Sequence, residues 1–143
     1  MIDIYAVGGY TEVGKNCTAI KIDDEVIVID LGLALENYIK LTEDADIIKI
    51  SPEKLMDAGA VPDISVLDKI KNKVKAIVIS HAHLDHMGAV PYIASQFKAP
   101  VICTPFTAEV IRSILKDDKI KLDNEIKVLN SNSSIKISEN IKI

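Results

Sequence analysis

One apolar segment near the middle of the chain restricts the fold more than any other. Residues 74–80, Val-Lys-Ala-Ile-Val-Ile-Ser, are rich in β-branched side chains and predict a buried strand. The sequence His-Ala-His-Leu-Asp-His follows at once at positions 81–86, and residues 86–97 predict a helix. In α/β sheets, ligands bind beyond the carboxyl ends of the strands. The sequence therefore predicts an α/β fold with polar side chains gathered at this strand-to-helix turn.

The segment 81–86 has the composition of a metal site, because it contains all three histidines of the chain and one aspartate. Imidazole nitrogens and carboxylate oxygens are usual ligands of zinc. Side chains alternate along an extended segment, so we expect His81 and His83 to point the same way and to hold one ion. Asp85 and His86 lie where the chain turns, and we expect them to hold a second ion nearby. Two adjacent ions are typical of phosphoester hydrolysis.

These four side chains do not complete such a site. A catalytic zinc normally has three protein ligands, so two ions need more ligands than residues 81–86 supply. No histidine lies elsewhere in the chain, and any further ligand it provides must be Asp, Glu or Cys. We therefore expect this chain alone to hold Zn²⁺ weakly or not at all. The alternative is a surface loop in which three histidines cluster by chance, and the scarcity of such clusters disfavours it.

Composition limits the remaining classes. The length of 143 residues corresponds to one domain or part of one, and the hydrophobic fraction of 48% is ample for a core. No apolar run approaches the ~18 residues that a membrane span needs, so we expect no membrane association. Cys17 and Cys103 lack the Cys-x-x-Cys spacing and predict two free, buried thiols in a reducing cytoplasm.

Local patterns predict the order of the secondary structure. We expect strands at 2–7, 17–22, 25–30, 74–80, 101–104, 125–129, 134–137 and 140–143. We expect helices at 51–58, 64–71, 86–97 and 107–116, and an irregular segment at 31–50. The helices 51–58, 86–97 and 107–116 are expected to pack on one face of a mixed sheet. Because the last three residues still alternate Ile-Lys-Ile, we expect the chain to stop within a larger domain.

Three segments carry a resemblance to a known family. Positions 81–86 match the His-x-His-x-Asp-His signature of the metallo-β-lactamase superfamily. Asp30, which ends a predicted strand, resembles the first motif of that superfamily; the alternative is a carboxylate that caps a turn. The loop 8–16, Gly-Gly-Tyr-Thr-Glu-Val-Gly-Lys-Asn, resembles the opening of the β-CASP branch, which acts on nucleic acids. Residues 80–92 are similar to the ribonuclease J family, including its archaeal members.

The resemblance implies a fold and a set of roles. It implies the first half of an αββα sandwich, a mixed sheet with helices on one face. It implies two zinc ions, with Asp85 also orienting the attacking water and Asp30 orienting the site from outside the ligand set. Gly8, Gly9 and Glu12 would lie in a loop near the metals.

The resemblance also implies a larger enzyme. RNA would be the substrate of the full-length protein, which would be a cytoplasmic zinc-dependent phosphodiesterase. The later metal motifs and the inserted β-CASP domain of the family are not among residues 1–143. We therefore expect this chain to be the N-terminal part of a longer nuclease and to be inactive alone.

Two alternatives stay open at this point. Glyoxalase-II-like thioesterases share the same His/Asp motif, so the substrate class does not follow from the motif alone. A second alternative is a non-catalytic fragment. A half-domain exposes a sheet face or edge and would form a homodimer through it.

Overall fold

The computed structural model describes residues 1–43 and 50–143, which contain one six-stranded sheet. The spatial order of the strands follows the chain. The first three strands are antiparallel neighbours and the last four are parallel, so the predicted mixed α/β architecture is confirmed. The strands are β1 (Ile2–Gly8), β2 (Cys17–Ile22), β3 (Glu25–Ile29), β4 (Val74–Val78), β5 (Val101–Cys103) and β6 (Ile126–Val128).

Five α-helices accompany the sheet, and none is long and apolar enough to cross a membrane in the described part of the chain. Ser51 begins the second helix, since its side chain accepts a hydrogen bond from the Lys54 amide at 3.3 Å. Thr104 begins the fifth in the same way, through the Thr107 amide. The helices are α1 (Leu35–Glu43), α2 (Pro52–Asp57), α3 (Leu84–Met87), α4 (Val90–Ile93) and α5 (Pro105–Asp117), with 3₁₀ turns at Ile64–Leu67, Lys71–Lys73 and Ala94–Gln96.

The helices bury their apolar side chains against one face of the sheet. Val28, Ile77 and Val101 are in register on β3, β4 and β5 and form the centre of that face. The buried helical residues belong to the same hydrophobic cluster, and they include Leu55, Met87, Val90, Ile93, Ala108 and Ile111. Because side chains alternate between the two faces of a strand, the main hydrophobic core lies on the face of the sheet that the helices cover.

The opposite face is also apolar but is only partly covered. Ile4, Ile20 and Ile27 are in register across the three antiparallel strands, and Ile4 is 69% exposed. Ile141 is buried outside the main cluster. The C-terminal segment contacts this region through Glu25, whose carboxylate accepts a hydrogen bond from the Ser138 hydroxyl at 2.8 Å.

Two predictions were wrong, namely an irregular segment at 31–50 and one continuous helix at 86–97. The segment 31–50 contains α1 in its described part, and positions 44–49 lie outside the described residues. The helix predicted at 86–97 is broken after Met87, because the Ala89 amide donates to the Leu31 carbonyl at 2.9 Å instead of continuing the helix. Pro91, which has no amide hydrogen, then occupies the first turn of α4.

The end of the chain also differs from the prediction. Residues 126–128 join the sheet as β6, as expected. Among residues 1–43 and 50–143, the segments 134–137 and 140–143 pair with each other and do not join the sheet. Backbone hydrogen bonds of 2.8 and 3.0 Å connect Ile135 and Ile143. The alternating Ile and Lys pattern of these two segments predicts extended backbone correctly, but a pattern of period two does not identify the partner strand.

Because the helices cover one face of the sheet, we expect truncation of an isoleucine to cost more stability on that face than on the other. Replacing Ile77 with Ala should lower the free energy of unfolding by about 2–5 kcal/mol, because the side chain is fully buried on β4. Ile4→Ala is the matched control on the exposed face, and we expect a cost of less than about 1 kcal/mol. Urea unfolding at low protein concentration measures both. Equal costs for the two variants would show that both faces are packed to the same degree.

Candidate metal centre

The turn after β4 is held in place by a neighbouring stretch of backbone. Residues 30–33 run beside residues 78–89 and exchange several hydrogen bonds with them. The Asp30 amide donates to the Val78 carbonyl at 2.9 Å, and the Leu31 amide donates to the His86 carbonyl at 2.9 Å. These backbone contacts tie the histidine segment to the end of β3 independently of the side chains that it carries.

The two stretches approach so closely at Gly32 that a side chain would not fit. A Cβ atom at this position would lie 1.7 Å from the Asp85 carbonyl oxygen and 2.6 Å from the Asn16 backbone nitrogen. The glycine therefore allows three segments, the loop before β2, the turn after β3 and the turn after β4, to meet at one point.

Asp30 lies at the centre of the site and is 7% exposed. Its φ of 62° is in the left-handed region, which aspartate tolerates better than most residues. Its carboxylate accepts hydrogen bonds from the Ser80 amide at 2.7 Å, the Ser80 hydroxyl at 2.9 Å and His86 Nδ1 at 2.8 Å. The buried charge is thus matched by three donors.

These hydrogen bonds determine which ring nitrogens are free. Because a carboxylate only accepts, His86 Nδ1 carries the hydrogen and its Nε2 keeps a lone pair. The Ser80 hydroxyl likewise gives its hydrogen to Asp30, so its oxygen accepts from His81 Nδ1 at 2.9 Å. Nε2 of His81 and Nε2 of His86 therefore carry no hydrogen and present a lone pair each, that of His86 lying 3.3 Å from the Asn16 side-chain amide.

The four predicted ligands are brought together by the fold. The ring centroid of His81 lies 4.6 Å from that of His83 and 4.1 Å from that of His86. His86 Nε2 lies 3.4 Å from Asp85 Oδ2, and both side chains are partly open to solvent. The kinds of donor and the free Nε2 atoms fit zinc or a similar ion. Within residues 1–43 and 50–143, however, no group of three or more such side chains is arranged to hold an ion.

The three predicted loop residues, Gly8, Gly9 and Glu12, contact other residues of the loop 8–16. A Cβ atom at Gly9, whose φ is 84°, would lie 2.4 Å from Asn16 Oδ1, and one at Gly8 would lie 2.3 Å from the Lys15 carbonyl oxygen. Glu12 forms an ion pair of 3.0 Å with Lys15. The two glycines therefore shape the loop that carries Asn16 to the histidine segment.

Cys17 is poorly suited to supply a missing ligand. Its side chain is buried, and burial, with a smaller effect from the Asp30 carboxylate, raises the pKa of the thiol to about 12. The thiol is therefore in its protonated form near neutral pH, and its side chain belongs to the hydrophobic core.

A cavity of about 280 Å³ opens beside Asp85. Its walls come from the loop before β2, from the start of α1 and from α3. Most of the side chains that line it are apolar, and the lining residues are Val13, Gly14, Leu33, Ala34, Leu35, Glu36, Asn37, Leu84 and Asp85. One candidate metal ligand, Asp85, therefore borders a space that is lined mostly by apolar side chains.

Two polar residues of the site were missed at the level of sequence. Ser80 connects Asp30 to His81, and Asn16 contacts Asp85 and His86 through its side-chain amide. Ser80 directly precedes the histidines, and Asn16 ends the glycine-containing loop, so both lie inside segments already singled out. Their hydrogen bonds depend on contacts between distant segments, which spacing alone does not reveal.

A family model and the sequences of curated relatives identify the same protein family for this chain. Residues 10–125 match the metallo-beta-lactamase superfamily. The chain is 43% identical over 143 residues to Ribonuclease J of Methanocaldococcus jannaschii, covering 99% of this chain and 32% of that protein. It is 39% identical over 147 residues to Ribonuclease J of Pyrococcus abyssi, covering 100% of this chain and 32% of that protein. The chain thus spans about a third of the length of these relatives.

A solved structure supports the same fold. BJP-1, a subclass B3 metallo-beta-lactamase of Bradyrhizobium japonicum, matches with a TM-score of 0.53 over 95% of this chain and 46% of that chain. The two sequences are 15% identical, so the likeness concerns the fold alone. The resemblance predicted from the histidine segment and the glycine-containing loop is confirmed.

The role of Asp30 predicts a specific loss of stability. Asp30→Asn keeps a residue that tolerates positive φ but places an amide against the donors of Ser80 and His86. We expect the free energy of unfolding to fall by about 1–3 kcal/mol, the cost of unsatisfied buried donors.

Asp23→Asn is the matched control for this variant. Asp23 also has positive φ, but its side chain is 68% exposed and forms an ion pair with the N-terminus. We expect a change within about 0.5 kcal/mol. Thermal or urea unfolding of the unaltered chain and of the two variants measures these changes. Similar losses of unfolding free energy in both variants would contradict the central role of Asp30.

Proposed function

The chain belongs to the metallo-β-lactamase superfamily, and we propose that it is part of a zinc-dependent ribonuclease that hydrolyses phosphodiester bonds in RNA. One observation supports this most directly. The hydrogen bonds from His86 and Ser80 to Asp30 leave Nε2 of two neighbouring histidines free to bind metal. The similarity to Ribonuclease J of two archaea supports RNA as the substrate class.

In this proposal the four ligands divide between two positions. His81 and His83 hold one ion, and Asp85 and His86 hold the other. The ions, when bound, lower the pKa of water and offset negative charge on the phosphate. The Asp85 carboxylate, whose side chain is 44% exposed, accepts a hydrogen bond from the attacking water and orients it.

The remaining features are consistent with a nucleic-acid substrate. The apolar wall of the cavity beside Asp85 gives a base or sugar next to the reacting phosphate a surface to pack against. We place the protein in the cytoplasm in this proposal, because Cys17 and Cys103 are both free and buried. The four ligands found here are too few for two catalytic ions, so we expect the 143 residues alone not to cleave RNA.

Full-length protein containing this chain provides the test of the proposed activity. We expect it to contain zinc or a similar metal and to cleave a short RNA. His81→Ala or His83→Ala should reduce cleavage more than Asp30→Asn, for which we expect a loss of about 10–100-fold, typical of a residue that orients a ligand. Metal analysis by mass spectrometry and an RNA cleavage assay measure these effects.

A thioester offered in parallel separates the competing substrate class. A glyoxalase-II-like enzyme would hydrolyse the thioester and leave the RNA intact, and that result would contradict the proposal. Protein free of transition metal that still cleaves RNA would contradict the role of the histidines. Circular dichroism of each variant controls for loss of the fold.

Self-association is a second candidate function, favoured by the exposed isoleucines of the sheet. Ile2 and Ile4 of β1 are 67% and 69% exposed and lie on the less covered face. β1 is also an edge strand of the sheet. Exposed apolar surface on an edge strand favours pairing with a second copy.

Light scattering coupled to size exclusion tests this candidate. We expect the 143-residue chain to form dimers as its concentration rises and Ile4→Lys to shift the population toward monomer. Val66→Lys is the matched control, because Val66 is a comparably exposed apolar residue, at 57%, that lies outside the sheet. A monomer at all concentrations, or an equal effect of both variants, would argue against dimerisation through this face.

A further inference from the structure

Asn16 makes contacts that the proposed function has not used. Its side-chain nitrogen Nδ2 lies 2.9 Å from the Asp85 carbonyl oxygen. The same nitrogen lies 3.3 Å from Asp85 Oδ2 and 3.3 Å from His86 Nε2. One amide group thus faces two of the candidate ligand atoms at once.

The number of hydrogens on this amide defines what it can do. The group has two hydrogens, and the shorter contact assigns one of them to the Asp85 carbonyl. The other is directed at Asp85 Oδ2 and His86 Nε2, which are 3.4 Å apart. His86 Nε2 accepts here, because its Nδ1 donates to Asp30. The second hydrogen therefore lies between Asp85 Oδ2 and His86 Nε2 and interacts with a lone pair of each atom.

The amide is fixed by the backbone that carries it. The Asn16 backbone nitrogen donates to the Asp85 carbonyl at 3.1 Å, and the Asn16 carbonyl accepts from the Gly32 amide at 3.0 Å. On its other side, Asn16 Oδ1 lies where a Cβ atom of residue 9 would be, and a glycine at that position leaves room for it. The side chain is held against the ligands by main-chain contacts on two sides.

We propose that Asn16 is a positioning residue for the Asp85 and His86 half of the metal site. Its amide keeps Asp85 Oδ2 and His86 Nε2 directed at one point, where a cation takes over the interaction with both lone pairs. The bond from the amide to the Asp85 carbonyl remains and keeps the ligand segment in place. This inference rests on the proposed metal-dependent function, and it assigns a role to a residue outside the ligand set.

Nuclear magnetic resonance of the 143-residue chain during a Zn²⁺ titration tests the inference. The ring nitrogens of the histidines report the two ion positions separately, at constant pH. For the unaltered chain we expect binding weaker than micromolar, because each ion has only about two protein ligands. In Asn16→Ala the midpoint reported by His86 should move to about 10–100-fold higher Zn²⁺, with a smaller change at His81 and His83.

Asn124→Ala is the matched control for loss of an asparagine amide. The Asn124 amide donates to the carbonyls of Ala94, Phe97 and Ala99 and serves the fold away from the histidines. We expect Asn124→Ala to lower the free energy of unfolding and to leave the Zn²⁺ midpoint reported by His86 unchanged. A second measurement needs no variant, since the side-chain amide signals of Asn16 in the unaltered chain should move with the same midpoint as His86.

The outcomes separate the inference from the proposed function. An unchanged His86 midpoint in folded Asn16→Ala, or Asn16 amide signals that stay fixed while His86 responds, overturns the positioning role and leaves the metal site standing. Histidine signals that do not move in the unaltered chain at millimolar Zn²⁺ overturn the inference for this chain, whereas the proposed function stands or falls with the metal content and RNA cleavage of the full-length protein. If Asn16→Ala does not fold, the amide signals of the unaltered chain decide.

Discussion

The carboxylate of Asp30 accepts hydrogen bonds from the two residues on which the candidate site is built, Ser80 and His86. Burying a carboxylate is unfavourable unless donors replace its water, and here three donors from the turn after β4 do so. The same contact joins the end of β3 to the start of α3, so the requirement to satisfy one buried charge fixes the distance between sheet and histidines. This network also orients the rings of His81 and His86, because Nδ1 of His86 donates to Asp30 and Nδ1 of His81 donates to Ser80.

The elements that were predicted correctly are those whose signals are local. The run 74–80 consists of apolar and β-branched residues, and Ser51 with Gly59 marks the two ends of α2. Failures occurred where a distant contact decided the outcome. The helix after the histidines breaks because the Ala89 amide donates to the Leu31 carbonyl.

The same division applies to the site. Type and spacing of the side chains were sufficient to name His81, His83, Asp85 and His86, because those residues are adjacent in the chain and their chemistry is distinctive. Asn16 meets Asp85 across 69 positions of sequence, and asparagine has many structural uses. Its role became visible only when the distances from one nitrogen atom to three acceptors were known. Sequence identified the chemical groups, and the tertiary structure identified what orients them.

The sequential order of the strands has a consequence for synthesis on the ribosome. Each strand pairs with the one made immediately before it, so the sheet can grow in the direction of translation without waiting for later segments. Asp30 precedes His86 by 56 positions, and Asn16 precedes it by 70. Both residues that contact the His86 ring from earlier strands and loops, Asp30 and Asn16, are therefore synthesised before the histidine segment.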